Sequence, residues 1–153
     1  MRTRIAVSAL ALSAVGLLSI AKFEGFSEVV YQPLQGDVPT VGFGHTDKRL
    51  EVGQRVSSLQ ALEWLGSDAM KAQAAVKRCV KVPLTQGEFD AFVSFTFNVG
   101  GDAFCGSTLV KKVNAGDYSG ACGELTRWVY FKGQPIKGLE RRRLEELRMC
   151  RGD

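Results

Sequence analysis

The chain has 153 residues, of which 45% are hydrophobic and 24% are charged, and its formal net charge is +4. This composition is ordinary for a globular protein and gives one domain enough apolar material for a sizeable core. The basic excess is well short of a nucleic-acid footprint, so no nucleic-acid partner is expected. It suits an anionic polymer as a partner, and it equally suits an ordinary soluble basic protein.

The N-terminal segment has the form of an export signal or a membrane anchor. Arg2 and Arg4 precede Ile5–Ala21, which runs for 17 residues without a charge. As a helix it would reach about 26 Å, short of a hydrocarbon core of roughly 30 Å. Alanine, serine and glycine make up much of it. The segment can therefore insert, but its hold on a bilayer is expected to be poor.

Three interpretations of this segment are open from its residues. It is a signal peptide cleaved after Ser19–Ala21, a permanent anchor, or a core helix of a cytoplasmic enzyme. Cleavage would leave Glu24 three residues from a free end, without the rigid support that a catalytic carboxylate needs. If the segment inserts, Arg2 and Arg4 favour a cytoplasmic N-terminus and place the rest of the chain across the membrane.

The next part of the chain predicts a small β-lobe over residues 27–53. Strand-like runs occur at Val29–Tyr31 and Val41–Phe43, and Gly36 and Gly53 mark turns.

Everything after residue 53 is predicted to be helical. Ser57 or Ser58 caps a helix whose apolar face begins with Leu59, Leu62 and Leu65. The predicted helices that follow begin at a Thr85–Glu88 capping box, before Leu109, at Asp117, and ahead of Leu144, Leu147 and Cys150. A sheet lobe beside a larger helical lobe is an α+β fold, and clefts between such lobes hold substrates.

The four cysteines are Cys79, Cys105, Cys122 and Cys150, and they lack the spacing of a zinc site. No metal is therefore expected. In an exported chain they would form two disulfides, and in the cytoplasm they would stay as buried thiols. Three pairings are possible. We favour Cys122–Cys150, which would hold the last helix, together with Cys79–Cys105.

The chemistry is concentrated in residues 24–46, which read EGFSEVVYQPLQGDVPTVGFGHT. Glu24 lies between Phe23 and Gly25-Phe26, and an apolar setting raises the pKa of a carboxyl and makes it a proton donor. Asp37 and Thr40 follow within a short hairpin-like span. Two carboxylates across a cleft are what glycoside hydrolysis requires, one as acid and the other acting on water or the sugar cation.

This stretch resembles the phage-type lysozyme family, glycoside hydrolase family 24. The resemblance implies that Glu24, in the E-G pair, is the general acid. Thr40 matches the family's catalytic threonine, two residues before the first glycine of Gly42–His45. The family's aspartate lies about six residues before that threonine, where this chain has Leu34. Either Asp37 takes the role or the carboxylate is dispensable, and we favour Asp37.

The resemblance extends over residues 22–150. Phe95–Gly100 looks like the family's helix along the cleft, so Asn98 is expected to bind substrate. The pattern Arg127-Trp128, Gly138-Leu139 and Arg141–Arg143 resembles the family's C-terminal region. Most of these arginines are expected on a solvated helix face, because glutamates follow at helix-pair spacing. His45, the only histidine, is expected to orient the strand end by hydrogen bonds.

The implied function is that of a phage endolysin, a muramidase that cuts the β-1,4 bond from N-acetylmuramic acid to N-acetylglucosamine in peptidoglycan. Inversion at the anomeric carbon, no cofactor and a monomer are expected. Two alternatives stay open: a lytic transglycosylase that forms anhydro-sugar ends, and an inactive membrane-tethered wall-binding protein.

Some endolysins of this kind carry a signal-anchor-release segment, and the weak apolarity of residues 5–21 favours that interpretation. Residues 1–21 would be this segment and residues 22–153 the catalytic domain. The resemblance then implies host export machinery, an inner-membrane location on the periplasmic face, and later release into the periplasm. A holin-type protein would set the timing.

Overall fold

The computed structural model describes residues 3–153. Its smaller lobe is an antiparallel sheet in the order β1-β2-β3, formed by Ser27–Tyr31, Thr40–Gly42 and His45–Thr46. The larger lobe is helical, which is the α+β arrangement predicted above. Its helices are α1 Ala14–Glu24, α2 Ser58–Cys79, α3 Gln86–Val99, α4 Gly101–Cys105, α5 Thr108–Asn114, α6 Tyr118–Glu124 and α7 Lys137–Arg151. A short hairpin, β4 Tyr130–Phe131 and β5 Gln134–Pro135, precedes α7.

The helix caps follow from local sequence. Ser57 caps α2, and Gly66 does not interrupt that helix. Thr85 and Glu88 form the complete capping box of α3, and Asp117 caps α6 through the Gly120 amide. Each cap satisfies amide groups that a helix leaves without partners in its first turn.

The inward face of α2 differs from the predicted one. Leu59 and Leu62 are 68% and 53% exposed. A Cβ on Gly42 of β2 would lie 2.9 Å from the Ala61 Cβ, so the sheet lies directly against a small side chain of α2. Leu59 and Leu62, on either side of Ala61 in the sequence, lie outside this contact between Gly42 and Ala61. The buried face of α2 is therefore built mainly from Ala61, Leu65, Ala69, Ala72 and Val76.

The core lies around α3, which contacts α1, α2, α4 and α7. Phe89, Phe92 and Phe95 of α3 are fully buried, with Phe104 of α4 against two of them. Both favoured cysteine pairs are bonded in the structure. Cys79–Cys105 joins the end of α2 to α4, and Cys122–Cys150 joins α6 to α7.

The N-terminal segment packs against the helical lobe and is not one continuous helix. Ile5 pairs with Leu84 through two backbone hydrogen bonds of 2.9 Å, and α1 begins only at Ala14. Leu10 and Ile20 belong to the core. Among residues 3–153, no helix is both long and apolar enough to cross a membrane. Arg2 lies outside the described residues.

Candidate active site

Glu24 is the last residue of α1, and its carboxylate lies between the two lobes. Its Oε1 atom accepts a 2.6 Å hydrogen bond from Nη1 of Arg142. Its Oε2 atom lies against Gly44, where an added Cβ would be only 2.7 Å from that oxygen. Gly44 has a φ of +75°, a conformation that glycine adopts without steric cost. The backbone at the end of the hairpin therefore packs directly on the carboxylate.

The register of the sheet explains why Glu24 and Gly44 meet. Ser27, three residues after Glu24, is opposite Gly42 in the β1–β2 pair. The chain leaving α1 therefore runs beside Gly42, at the end of β2, and close to Gly44, which follows that strand. Phe26 and Phe43 support this junction with ring centroids 5.0 Å apart. The spacing of the E-G and G-x-G-H motifs therefore brings Glu24 of the helical lobe against Gly44 of the β-lobe.

Thr40 and Asp37 lie on the β-lobe. Thr40 is buried in β2, where Tyr31 and Thr46 are its neighbours across the sheet, and its hydroxyl donates to the Val38 carbonyl at 3.1 Å. Asp37 is exposed, and its backbone closes the loop before β2. Its amide donates to Leu34 at 3.0 Å. Within residues 3–153 its carboxylate has no hydrogen-bond or ion-pair partner.

The arginines of α7 correct the prediction of a solvated face. Arg142 and Arg143 are only 5% and 1% exposed. Arg142 bonds Glu24, the Ser94 carbonyl at 3.0 Å and Glu146 at 3.0 Å, and Arg143 bonds Glu146 at 2.6 Å. Ser94 also donates to Glu146 at 2.7 Å. Two buried guanidinium groups are thus balanced by two carboxylates, which a buried charge requires.

This cluster also changes the expected setting of Glu24. The sequence predicted an apolar surrounding, and Phe23 does lie near, but the guanidinium of Arg142 is over its ring, 4.9 Å from the centroid. Glu24 is therefore paired with a cation, Arg142, which itself packs over the Phe23 ring. Leu144, predicted to face inward, is half exposed, because the charged residues of α7 occupy its buried face.

Asn98 is held at the end of α3 by the same cluster. Its Oδ1 atom accepts a hydrogen bond from Arg143. Arg143 also donates to the Trp128 carbonyl at 3.0 Å and packs over the Phe95 ring at 4.8 Å. Burial lowers the pKa of Arg143, and the neighbouring Glu146 carboxylate opposes that shift. Asn98 is an exposed residue whose acceptor oxygen is already engaged by Arg143.

Two cavities lie on either side of the Glu24–Gly44 contact. The larger, of about 620 Å³, brings Glu24 and Asn98 together and is lined by Lys22, Phe23, Glu24, Asn98, Ile136, Gly138, Leu139, Arg141, Arg142 and Glu145. The smaller, of about 290 Å³, is lined by Gly44, Thr46, Asp68, Lys71, Ala72, Thr96, Phe97, Gly100 and Gly101. Asp37 and Thr40 line neither of these two cavities.

His45 makes the kind of hydrogen bond expected from the sequence. Its Nδ1 lies 2.7 Å from the carboxylate of Asp68 on α2, and its ring stacks on Trp64 with centroids 4.4 Å apart. These contacts tie the end of the hairpin to the long helix. They help to hold Gly44 against Glu24.

The sequence pattern alone did not indicate that Arg142, Arg143, Glu146 and Ser94 belong to this site. The arginine–glutamate spacing in α7 is the same as that of an exposed helix. A signal was available in the position of Ser94, a polar residue in the middle of the apolar stripe of α3. Buried polar groups need partners, and the partner here comes from α7.

The fold and this site define a lysozyme-like protein, with an acidic residue at the end of the first helix in a cleft between a small sheet and a larger helical lobe. The Phage lysozyme family model matches residues 21–146. The chain therefore belongs to the phage lysozyme family, as its motifs predicted, and it is a phage endolysin of that family.

Its relatives are similar to it over most of their length. It is 41% identical over 139 residues to an endolysin of Acyrthosiphon pisum secondary endosymbiont phage 1, covering 88% of this chain and 94% of the relative. It is 41% identical over 129 residues to a SAR-endolysin of Escherichia phage Mu, covering 84% and 74%. The solved structure of an endolysin from Escherichia coli O157:H7 phage FAHEc1 matches with a TM-score of 0.82 and 34% identity, covering 98% of this chain and 96% of that one.

Proposed function

We propose that this endolysin is a muramidase that hydrolyses the β-1,4 bond between N-acetylmuramic acid and N-acetylglucosamine in peptidoglycan and thereby lyses the host cell. The observation that carries the proposal is the carboxylate of Glu24, which lies against Gly44 of the β-lobe and lines a cavity of about 620 Å³ on the helical lobe. One of its oxygens is fixed by Arg142 at 2.6 Å. A positioned carboxyl beside a cleft of this size is what a glycosidase needs as its proton donor.

Glu24 would protonate the glycosidic oxygen through Oε2. Arg142 occupies Oε1, so Oε2 is the oxygen left to carry the proton. Gly44 and Arg142 restrain the carboxyl from two sides. Restraint of this kind lowers the entropy lost on reaching the transition state.

Thr40 and Asp37 would act on water at the opposite face of the sugar. The Thr40 hydroxyl donates a hydrogen bond to the Val38 carbonyl. The lone pairs of the hydroxyl oxygen therefore remain able to accept a hydrogen bond from a water molecule. Asp37 has an exposed carboxylate on the loop that leads to Thr40 and would serve as the base. With water between two carboxyl groups, inversion is the expected outcome.

Asn98 would hold the sugar. Its oxygen accepts from Arg143, which leaves the amide hydrogens as donors toward the cavity. A carbonyl such as that of an N-acetyl group would be the matching acceptor.

A lytic transglycosylase is the second candidate. One observation favours it: Glu24 lines the larger cavity and Asp37 does not. A transglycosylase needs a single carboxyl and closes the sugar on itself without water. Its products would carry anhydro ends.

Mass spectrometry of digested peptidoglycan tests these proposals. Wild-type protein is expected to give reducing N-acetylmuramic ends, and Glu24→Gln should give none. Glu51→Gln, a change at an exposed carboxylate of the β-lobe, is the control and should cleave normally. Anhydro ends would assign a transglycosylase, and wall affinity without cleavage by any variant would assign an inactive binding protein.

We further propose that residues 1–21 are a signal-anchor-release segment and residues 22–153 the catalytic domain. The chain would be exported by host machinery, held on the periplasmic face of the inner membrane, and released into the periplasm when a holin-type protein acts. The name of the phage Mu relative, a SAR-endolysin, supports this. Fractionation before and after a depolarising agent should move the full-length chain from membrane to periplasm, whereas a shortened soluble product would indicate signal cleavage.

A further inference from the structure

The β4–β5 hairpin carries two exposed aromatic side chains beside the larger cavity. Tyr130 and Phe131 are 64% and 54% exposed. Ile136, which directly follows β5, lines the cavity that contains Glu24. Exposed apolar rings next to a binding cavity are typical of an interaction surface. The hairpin is therefore a candidate extension of that cavity.

The register of the hairpin determines which aromatic ring faces the cavity. Phe131 pairs with Gln134, and the Ile136 amide donates to the Val129 carbonyl at 2.9 Å. Side chains alternate between the two faces of a strand, so Phe131 shares a face with Ile136, whereas Tyr130 is on the opposite face. Phe131 is diagonal to Ile136 across the hairpin, a separation of about 7–8 Å. Phe131 therefore lies just beyond the rim of the cavity, on the face that carries Ile136.

The turn of the hairpin holds a lysine in an unusual backbone conformation. Among residues 3–153, Lys132 is the one non-glycine residue with a positive φ, of +49°, and Gly133 follows with a φ of +77°. Two-residue turns of this kind favour asparagine, aspartate or glycine at the first position, because other side chains are strained there. Strained residues of this sort cluster at functional sites. The lysine does not stabilise the turn, so its side chain is the feature that needs a role.

The side chains of Lys132 and Phe131 lie together at the tip. The Lys132 ammonium is 5.3 Å from the centroid of the Phe131 ring. Within the part of the chain that the structure describes, no carboxylate pairs with this ammonium. An open ring beside an available cation matches a ligand that has both an apolar face and a carboxylate.

Peptidoglycan offers this combination of groups. One face of a sugar ring presents C–H groups, and the stem peptide on muramic acid carries free carboxylates. A lipid surface fits less well, because a hairpin that enters a bilayer presents its apolar side chains on one side. Here Tyr130 and Phe131 are on opposite faces.

We propose that Phe131 and Lys132 form a subsite for one muramoyl-peptide unit of peptidoglycan, next to the cavity of Glu24. Phe131 packs on the apolar face of a sugar, and Lys132 pairs with a carboxylate of the stem peptide. This proposal rests on the proposed function, of which it names one binding subsite. Neither residue contacts the bond that is cut.

Binding of the soluble full-length protein to purified peptidoglycan sacculi tests the subsite. Every variant also carries Glu24→Gln, so that the sacculi stay intact, and bound protein is measured by sedimentation. Phe131→Ala should weaken binding about ten-fold, and Phe131→Trp should bind like the parent because it keeps a ring. Tyr130→Ala removes the neighbouring ring from the opposite face. It is the matched control and should leave the affinity unchanged.

Lys132→Asn separates binding from folding. Asparagine suits a positive φ, so this variant should melt about 1–3 °C above its parent. It should nevertheless bind about two- to five-fold more weakly at low salt. That difference should disappear at high ionic strength and on sacculi whose stem peptides an amidase has removed. A purely structural role for the lysine predicts no loss of binding.

Two results on sacculi would overturn the proposal: equal binding by Phe131→Ala and Tyr130→Ala, or a Lys132→Asn defect that persists after amidase treatment. A Phe131→Ala defect on vesicles of phosphatidylglycerol and phosphatidylethanolamine, with none on sacculi, would also overturn it and assign the hairpin to a membrane. The proposed function fails separately. If wild type releases no reducing ends, or Glu24→Gln alone still cleaves, the acid is wrongly assigned. The difference between Phe131→Ala and Tyr130→Ala still decides the subsite.

Discussion

Replacing Gly44 by alanine tests the contact that places Glu24. Gly44 has a φ of +75°, and an L-residue in this region costs about 1–2 kcal/mol. The new Cβ would lie 2.7 Å from Oε2 of Glu24, whereas ordinary contact begins at 3.4 Å. Either the carboxyl or the hairpin must shift by several tenths of an ångström. Arg142 holds the other oxygen of Glu24, so the shift disturbs the acid itself.

We expect Gly44→Ala to lose about 10- to 100-fold in activity per folded molecule, because a displacement approaching 1 Å at a catalytic group has effects of this order. Gly53→Ala is the control. Gly53 also has a positive φ, of +91°, but its added Cβ would meet nothing within 4 Å. Both variants should melt roughly 2–8 °C below wild type from backbone strain, and only Gly44→Ala should lose activity.

The assay is initial rate of peptidoglycan solubilisation, normalised to folded protein by circular dichroism. Equal activity of the two variants per folded molecule would show that the contact between Gly44 and Glu24 does not position the acid.

Three further changes test the rest of the structure. Arg142→Met should lower the free energy of unfolding in urea by about 3–5 kcal/mol and abolish cleavage, because it leaves buried carboxylates short of a cation; a change below 1 kcal/mol would contradict this. Joint replacement of Cys122 and Cys150 by alanine should cost about 3 kcal/mol, and no loss in thermal melts would argue against that bond. The hydrogen bond from Lys112 lowers the pKa of Glu124 below its ordinary value of 4.5. The pair therefore stabilises the folded state fully at a pH above 4.5, and this stabilisation is lost as the pH falls through the lowered pKa. Urea midpoints between about pH 6 and pH 3 should fall less steeply for Glu124→Gln than for wild type, and identical slopes would refute the pairing.

Interactions over a few residues were predictable. The Thr85–Glu88 box and the Asp117 cap each span three residues, so their partners are adjacent in the sequence. The cysteine pairs were favoured among three possibilities. The pairing depends on which helices meet in the fold, which the spacing of the cysteines does not specify. The structure contains the favoured pairs.

Burial of charge was not predictable from the same kind of signal. Arg142, Arg143 and Glu146 have the spacing of an exposed ion-pair ladder, yet they form a buried cluster, and Arg142 of this cluster contacts Glu24. What decides their burial is α3, whose Ser94 and Asn98 supply matching polar groups from about 50 residues away in the chain. A helix pattern contains no information on the partner it will meet.

The sequence by itself determined the family, the lobes and the likeness of Glu24 and Thr40 to family residues, because motifs and caps depend on neighbours along the chain. It also contained the apolar run of residues 5–21, which by composition is compatible with a membrane helix. Only the tertiary structure decided that this run breaks at Ser13, since Gln73 and Asp90 bond its backbone there. It likewise decided that Arg142 holds Glu24. In both cases the deciding partners are distant in sequence, and the energy of a buried polar contact depends on where the folded chain brings them together.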